Sequence, residues 1–215
     1  MRKEMKRMGA ACLLAAALLA GGAAEAAQPG LSSQNEFIRM EKAERAPVEA
    51  KVPVLTVGTA LQRARVNAAV EAEISRFYED VAARNAVSPV EGWVAYDVGM
   101  VSRQCVSLVL YESVMYKGAA HPSTVAVGMT FDKNGERVTR KDVMNSLPEE
   151  SADGIHDRIK KAAAERDLFL FPEKDWSVTD WPKSFYIGSD GHIYFLFQQY
   201  EIAPYAAGII AIPAD

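Results

Sequence analysis

The sequence predicts an α+β fold with mainly antiparallel sheets, two principal helices and two closely packed subdomains. Segments rich in β-branched and aromatic residues follow one another along the chain, and only two long helical patterns interrupt them. Runs of consecutive strands favour antiparallel pairing, because a parallel pair needs a long crossover connection between its strands. We place the subdomains at residues 47–110 (β/α) and 111–215 (α+β).

The first 26 residues have the three parts of a secretory signal peptide. A basic region precedes the apolar run Ala10–Ala20, and Ala24-Glu25-Ala26 provides the small residues that a signal peptidase needs. We therefore predict cleavage after Ala26 and an extracytoplasmic location, either periplasmic or secreted. The apolar run is about half as long as the roughly 20 residues of a membrane-spanning helix, so no transmembrane anchor is expected after cleavage.

The charge of the processed chain restricts the class of partner. The signal region contains four of the 24 basic side chains and two of the 28 acidic ones, which leaves 20 basic and 26 acidic residues. An acidic balance argues against nucleic acid and against anionic membrane surfaces, and it is compatible with a cationic protein partner. Cleavage also removes Cys12, so the remaining Cys105 cannot form an internal disulfide and is interpreted as a small buried hydrophobic residue.

The first part of the chain predicts one strand and one long helix. Residues 27–46 are polar and alanine-rich and are predicted to be a linker, and Val48–Val57 is predicted to be a strand in which Pro53 indicates an edge or a bulge. Thr59 and Gln62 fit a capping box at the start of a helix. Apolar residues then recur at steps of four and three, which predicts one buried helical face: Val66, Val70, Ile74, Phe77 and Val81.

The rest of the chain predicts strands that surround a second helix, over Glu150–Arg166. Leu168–Phe171 is apolar and could form either a strand or a docked loop. Trp176 and Trp181 lie in a polar loop, where they could stack on carbohydrate or cover the edge of the core. The remaining predicted elements are strands at Trp93–Val101, Cys105–Tyr116 and Thr124–Phe131, a turn at Asp132–Gly135, a helical turn at Lys141–Leu147, and strands at Ser184–Ile187, Ile193–Gln198 and Gly208–Ile212.

No local motif for catalysis or metal binding is present. The sequence contains no nucleophile elbow, no phosphate-binding loop and no paired-histidine metal motif. His121, His156 and His192 are far apart, and none has a second ligand at metal-binding spacing. We therefore expect neither a metal nor a cofactor, although a site assembled from distant segments is left open.

His121 is the best single candidate for a functional residue. Pro122 favours an extended backbone at His121, and residues 118–120 are small, so another segment or a ligand could approach closely. Three interpretations stay open: a recognition site, a general base oriented by Glu201, and a structural histidine that holds a loop. The candidate binding residues are His121, Tyr116, Tyr200, Glu201 and Tyr205, and no catalytic residue is assigned.

Two segments of the sequence resemble a known family. The segments are Gly118-Ala119-Ala120-His121-Pro122, within residues 111–132, and Tyr-Glu-Ile-Ala-Pro-Tyr-Ala-Ala-Gly at residues 200–208. Together they resemble the extracellular, lysozyme-binding domain of the anti-sigma-V factor RsiV and the non-catalytic N-terminal region of the peptidoglycan deacetylase PdaC. The resemblance covers most of residues 48–213 and implies a two-part α+β module outside the cytoplasm. It does not imply deacetylation.

The resemblance and the residues together predict a function. We expect a secreted or periplasmic, non-catalytic binding module of the cell envelope, whose partner is a lysozyme-like protein or cell-wall peptidoglycan. Two alternatives remain open at this point. One is an envelope hydrolase that uses His121 and Glu201, and the other is a structural accessory protein in which both segments are internal.

Overall fold

The computed structural model of the protein describes residues 28–147, 154–176 and 178–214. The predicted signal peptide and the first residues of the predicted second helix lie outside these ranges. Within them, the chain forms an α+β fold with two sheets of mostly antiparallel strands, as the sequence predicts. None of the helices in the described ranges is long and apolar enough to cross a membrane.

The larger sheet contains five strands in chain order, with helix α1 (Ala60–Asn85) packed on it. Strands β2 and β3 are parallel, and α1 makes the crossover connection that a parallel pair requires. The other neighbouring strands are antiparallel. The strands are β1 (Ile38–Arg45), β2 (Val48–Leu55), β3 (Val90–Val101), β4 (Cys105–Tyr116) and β5 (Ser123–Asp132).

Helix α1 buries the apolar face that the sequence predicts, but only half of the predicted capping box forms. The five apolar residues of that face are buried against the sheet. The Thr59 hydroxyl accepts a hydrogen bond from the Gln62 amide at 3.1 Å. The Gln62 side chain does not return to Thr59; it is buried and donates to the Asp132 carbonyl at 3.3 Å. Gln62 therefore joins the start of α1 to the end of β5.

The smaller sheet follows in the second half of the chain. Its three antiparallel strands lie in chain order, and in the ranges that the structure describes two short helices come before them. The elements are α2 (Arg140–Ser146), α3 (Ile155–Glu165), β6 (Phe185–Ile187), β7 (Ile193–Phe197) and β8 (Ile210–Pro213), with single turns of 3₁₀ helix at Glu173–Asp175 and Tyr205–Ala207. Leu168–Phe171 is a docked loop and not a strand.

Two sequence-based boundaries are wrong. Residues 27–46 are not a linker, because they contain β1, which pairs with β2 over eight residues. Most residues of β1 are exposed and several are charged, as is common for an outer strand, so their composition imitates that of a linker. The predicted boundary at residue 110 falls inside β4, which pairs with β3 and β5, and the chain leaves the larger sheet only after Asp132.

The two sheets pack through a buried apolar cluster, in which Val109 and Tyr111 of β4 contact the smaller sheet, and they also meet along the outer edge of β5. The Ala126 N–H donates to Gln198 Oε1 at 2.8 Å, and Gln198 Nε2 donates back to the Ala126 carbonyl at 3.1 Å. The Thr124 N–H donates to Gln199 Oε1 at 3.0 Å. Backbone groups at such a junction need partners once water is excluded. Side-chain amides therefore take the place of a sixth strand.

Strand β6 approaches the same edge closely because residue 128 is a glycine. A Cβ atom on Gly128 would collide with the Phe185 carbonyl oxygen. The Ser184 hydroxyl accepts from the Gly128 N–H at 2.7 Å and donates to the Ala126 carbonyl at 2.8 Å. The outer edge of β5 is thus closed by side chains from the smaller sheet.

One ionisable side chain is buried beneath α1. Glu112, in the middle of β4, has a side chain only 6% exposed, and Arg76 Nη2 lies 2.9 and 3.3 Å from its two oxygens. Burial raises the pKa of Glu112 to about 7, because the loss of hydration outweighs the attraction of Arg76, which is itself more than half exposed. The nearby carboxylates of Glu73 and Asp80 raise this pKa further.

This geometry predicts a pH dependence of stability. The folded-state pKa of Glu112 lies above its ordinary value of 4.5, so the folded protein holds this proton more tightly than the unfolded chain. The resulting stabilisation is complete below about pH 4.5 and is lost as the pH rises towards 7. A Glu112→Gln variant has no carboxyl group at this position, so its stability does not fall in this way as the pH rises. We expect its melting temperature, relative to the wild type, to be higher near pH 8 than near pH 5.

The control for this experiment is Glu49→Gln, a substitution at an exposed position of β2. Its melting temperature relative to the wild type should be the same at both pH values. An equal difference at both pH values for Glu112→Gln would contradict the assigned role of Glu112.

Candidate functional site

The two segments singled out in the sequence meet at the protein surface. His121, in the β4–β5 connection, stacks on Tyr205, in the β7–β8 connection, with ring centroids 3.7 Å apart and planes 23° from parallel. The Tyr200 ring lies 6.5 Å from His121 and 6.0 Å from Tyr205. The Tyr200 hydroxyl is 3.4 Å from His121 Nε2, across 79 positions of sequence. We call His121, Tyr200 and Tyr205 the aromatic cluster.

The edge of β5 determines where the aromatic cluster forms. His121 lies two residues before the first residue of β5, and Tyr200 directly follows Gln198 and Gln199. The hydrogen bonds of these two glutamines to Thr124 and Ala126 therefore fix both loops relative to one strand. The aromatic rings come from different loops but share one rigid support.

Tyr200 has a backbone conformation that favours glycine. Residues 198–201 form a turn in which the Glu201 N–H donates to the Gln198 carbonyl at 3.1 Å, and Tyr200 has a φ angle of 65°. This third position of a turn usually holds glycine or asparagine when φ is positive. A side chain in the left-handed region costs about 1–2 kcal/mol. Backbone strain of this kind is concentrated at functional sites, and the Tyr200 side chain is 56% exposed.

Glu201 stabilises its own turn. Its Oε2 atom accepts a hydrogen bond from the Gln198 N–H at 2.7 Å. His121 Nδ1 lies 3.2 Å from the Pro122 carbonyl, which can only accept, so Nε2 of the neutral ring is left to accept from the Tyr200 hydroxyl. In the described part of the chain, no hydrogen bond joins His121 to Glu201. The oriented base that the hydrolase alternative requires is therefore not assembled among these residues.

Tyr116 belongs to the same sequence segment as His121 but lies elsewhere. It is the last residue of β4, and its hydroxyl is 3.4 Å from Arg84 Nη1 at the end of α1. It lines a shallow groove together with Pro47, Pro89 and Lys117. Proximity in sequence suggested that Tyr116 and His121 share a site. In the structure Tyr116 contacts the end of α1, whereas His121 contacts the β7–β8 connection.

The two tryptophans of the polar loop are structural. Trp181 is buried and packs on Phe195, with ring centroids 4.7 Å apart. Trp176 Nε1 donates to the Phe171 carbonyl at 2.9 Å. Both tryptophans therefore support the edge of the core, which is one of the two alternatives that the sequence left open.

His156 holds the same loop against α3. Its Nδ1 lies 2.8 Å from the Glu173 carboxylate and its Nε2 lies 2.9 Å from the Val178 carbonyl. Because both neighbours are acceptors, they favour the doubly protonated ring and raise the pKa of His156, the Val178 carbonyl most strongly. No local sequence pattern predicts this role, since these residues are up to 22 positions apart.

The chemistry of the aromatic cluster is suited to binding. It provides an imidazole and two phenol rings, which can stack on a ligand and exchange hydrogen bonds with it. Within the described ranges, no group of three or more His, Cys, Asp or Glu residues is arranged to hold a metal ion. Sequence analysis missed Gln198 and Gln199. These residues belong to no catalytic or binding motif, and their side chains form hydrogen bonds with backbone atoms that are distant in sequence.

Comparison with known proteins supports the fold and leaves the activity open. Residues 141–213 match a family model described as a protein of unknown function, DUF3298, and this range includes Tyr200 and Tyr205 but not His121. A solved structure of a DUF3298 family protein from Pseudomonas aeruginosa PAO1 is 12% identical, with a TM-score of 0.54 over 85% of this chain and 92% of that one. A DUF3298 family structure from Bacteroides fragilis is 14% identical, with a TM-score of 0.51 over 86% and 90%. These identities show a shared fold alone. No curated protein matches the chain.

The backbone of Tyr200 provides a stability prediction. Alanine normally stabilises a chain relative to glycine, but at a positive φ angle the order reverses because glycine has no Cβ atom. We expect Tyr200→Gly to be more stable than Tyr200→Ala by about 1 kcal/mol in denaturant unfolding. Both variants lose the same aromatic ring, so the comparison isolates the backbone. A Tyr200→Ala variant at least as stable as Tyr200→Gly would show that this residue is not strained.

Proposed function

We propose that this protein is a secreted or periplasmic, non-catalytic binding module of the cell envelope, and that the aromatic cluster recognises a lysozyme-like protein or a cell-wall glycan. The main support is the stacked pair His121–Tyr205 beside the exposed Tyr200 ring. Tyrosine rings combine a large apolar area with a hydroxyl group, and they are enriched at the centres of protein interfaces.

The rigidity of the aromatic cluster favours binding. Ordering flexible side chains during association costs free energy, so a surface that is already ordered binds more tightly. Here the rings stack on one another, and the glutamine hydrogen bonds to β5 hold both loops. The strained backbone at Tyr200 is also retained in an exposed turn, where a glycine would be less costly.

The location and the partner class have separate support. The basic and apolar pattern of residues 1–26 is typical of a signal peptide, and the two segments resemble the extracytoplasmic modules of RsiV and PdaC. In RsiV this module binds lysozyme. The excess of acidic residues in the processed chain would accelerate association with a cationic protein such as lysozyme, because opposite charges steer the encounter.

The two alternatives have less support. A hydrolase would need a base held by a carboxylate, and Glu201 instead accepts from the Gln198 backbone. An accessory protein would use both segments internally, whereas His121 and Tyr200 are exposed. Neither alternative explains why a tyrosine is placed at a backbone position that favours glycine.

Calorimetry on the processed chain tests the proposal. The ligands are a c-type lysozyme and soluble peptidoglycan fragments. We expect at least one of them to bind, and we expect Tyr205→Ala and His121→Ala to weaken that binding by about tenfold or more, as for aromatic anchors at other interfaces. The matched control is Tyr116→Ala, which removes a partly exposed tyrosine outside the aromatic cluster.

The outcomes separate the three functions. The proposal fails if neither ligand binds at micromolar concentration, or if Tyr205→Ala binds as well as the wild type. Loss of binding that is matched by a loss of folded protein, measured by circular dichroism on the same samples, would favour the accessory role. Turnover of peptidoglycan that His121→Ala abolishes would favour the hydrolase.

A further inference from the structure

Strand β1 has one edge that no other strand covers in the part of the chain that the structure describes. It is the first strand of the larger sheet and pairs only with β2. Most of its eight residues are exposed. A free strand edge presents unpaired N–H and C=O groups, and it can pair with the edge of another molecule.

The backbone groups of this free edge come from alternate residues. The Thr56 N–H donates to the Phe37 carbonyl at 3.0 Å, so residue 37 directs its backbone towards the β2 side. In an antiparallel pair this direction alternates from one residue to the next. Met40, Lys42 and Glu44 therefore direct their N–H and C=O groups away from β2, and none of them has a backbone partner on that side in the described ranges.

Two charged side chains of β1 face like charges within their own molecule. Lys42 lies directly opposite Lys51, and Glu44 lies directly opposite Glu49. All four side chains are exposed, and none of them forms an ion pair in the described part of the chain. Like charges at opposite positions of two strands destabilise the pairing. An opposite charge on the free side of Lys42 and of Glu44 would offset this repulsion.

A second copy of β1 provides these opposite charges in one register. A closed dimer has two-fold symmetry, so the two β1 edges run antiparallel and one residue lies opposite its own copy. When Ala43 takes that place, Lys42 lies opposite Glu44 of the second copy, and Glu44 lies opposite Lys42 of the second copy. These are the residues whose backbone groups point outwards, so each such pair can exchange N–H···O hydrogen bonds.

Other registers are less favourable. A register centred on a charged residue places that side chain opposite its own copy, as for Glu41, Lys42 and Glu44. A register centred on Met40 would pair Lys42 with Ile38, whose N–H already donates to the Asn35 carbonyl at 3.1 Å. Charged side chains on an edge strand usually discourage association. On β1 they oppose these registers and favour the one centred on Ala43.

We propose that this protein forms a two-fold symmetric dimer, in which β1 pairs with β1 of a second copy in the register centred on Ala43. The larger sheets of the two copies then form one continuous sheet. A contact through one strand edge is small, so the dimer forms at micromolar and not at nanomolar concentrations. Strands β1 and β5 are at opposite sides of the larger sheet, so this contact leaves the aromatic cluster of each copy free.

Sedimentation equilibrium of the processed chain tests this dimer. We expect the wild type to dimerise in the micromolar range, and Lys42→Glu to weaken the dimer by about tenfold, because like charges then lie opposite each other at two symmetry-related positions. In the monomer the same substitution places an opposite charge beside Lys51, so its melting temperature should not fall. The double variant Lys42→Glu/Glu44→Lys exchanges the two charges and should restore the dimer.

The matched control is Lys51→Glu. It makes the same change of net charge and removes the same like-charge pair, but it lies on β2, behind the free edge. This variant should dimerise as the wild type does.

Hydrogen exchange identifies the surface that the dimer uses. The N–H groups of Lys42 and Glu44 should exchange more slowly as the protein concentration rises, because they become bonded across the contact. A wild type that stays monomeric throughout the micromolar range would overturn the inference, and so would a dimer in which these two amides exchange as fast as in the monomer. A Lys42→Glu variant that dimerises like the wild type, or a double variant that stays monomeric, would also overturn it. No ligand enters these measurements, so their outcome is independent of the proposed binding function.

Discussion

The side-chain amide of Gln198 links the packing of the two sheets to the candidate site. It donates to and accepts from the backbone of Ala126, as the next strand of a sheet would. Since Gln198 directly follows β7, this pair of bonds joins the smaller sheet to the larger one. The same bonds place the turn at Tyr200 beside the start of β5, where His121 lies. The fold and the candidate site therefore share this connection, in which the backbone of one sheet forms hydrogen bonds with a side chain that follows a strand of the other.

The outer edge of β8, in the smaller sheet, is also closed by a glutamine side chain. Gln28 donates to the Ile209 carbonyl at 2.6 Å and accepts from the Ala211 N–H at 3.1 Å, across more than 180 positions of sequence. An unpaired strand edge invites association with other chains, and proteins commonly cover or block such edges. Here two glutamines cover them without adding strands. As a result, the N-terminal segment, which has the composition of a linker, is a part of the folded unit.

The sequence predicts local structure in this protein far better than it predicts how the parts combine. The apolar face of α1 and the strands β2 to β5 follow from periodicity and residue type, because a buried face imposes a regular spacing. The mispredicted features include β1, the boundary inside β4, the partner of Gln62 and the placing of Tyr116 with His121. Each depends on a residue far away in sequence, and a polar side chain gives no sign of which distant backbone group it will meet. The meeting of His121 with Tyr205 is of the same kind: the sequence indicates both residues as candidates, but no local pattern predicts their contact.

Hydrogen bonds between Gln198 and β5 hold the aromatic cluster in place. The most direct test is nuclear magnetic resonance of a Gln198→Met variant, which keeps the size of the side chain and removes its amide. We expect the larger sheet to keep its resonances, while the nuclear Overhauser contacts between the rings of His121 and Tyr205 disappear. Intact contacts between these two rings in the variant would contradict this role of Gln198.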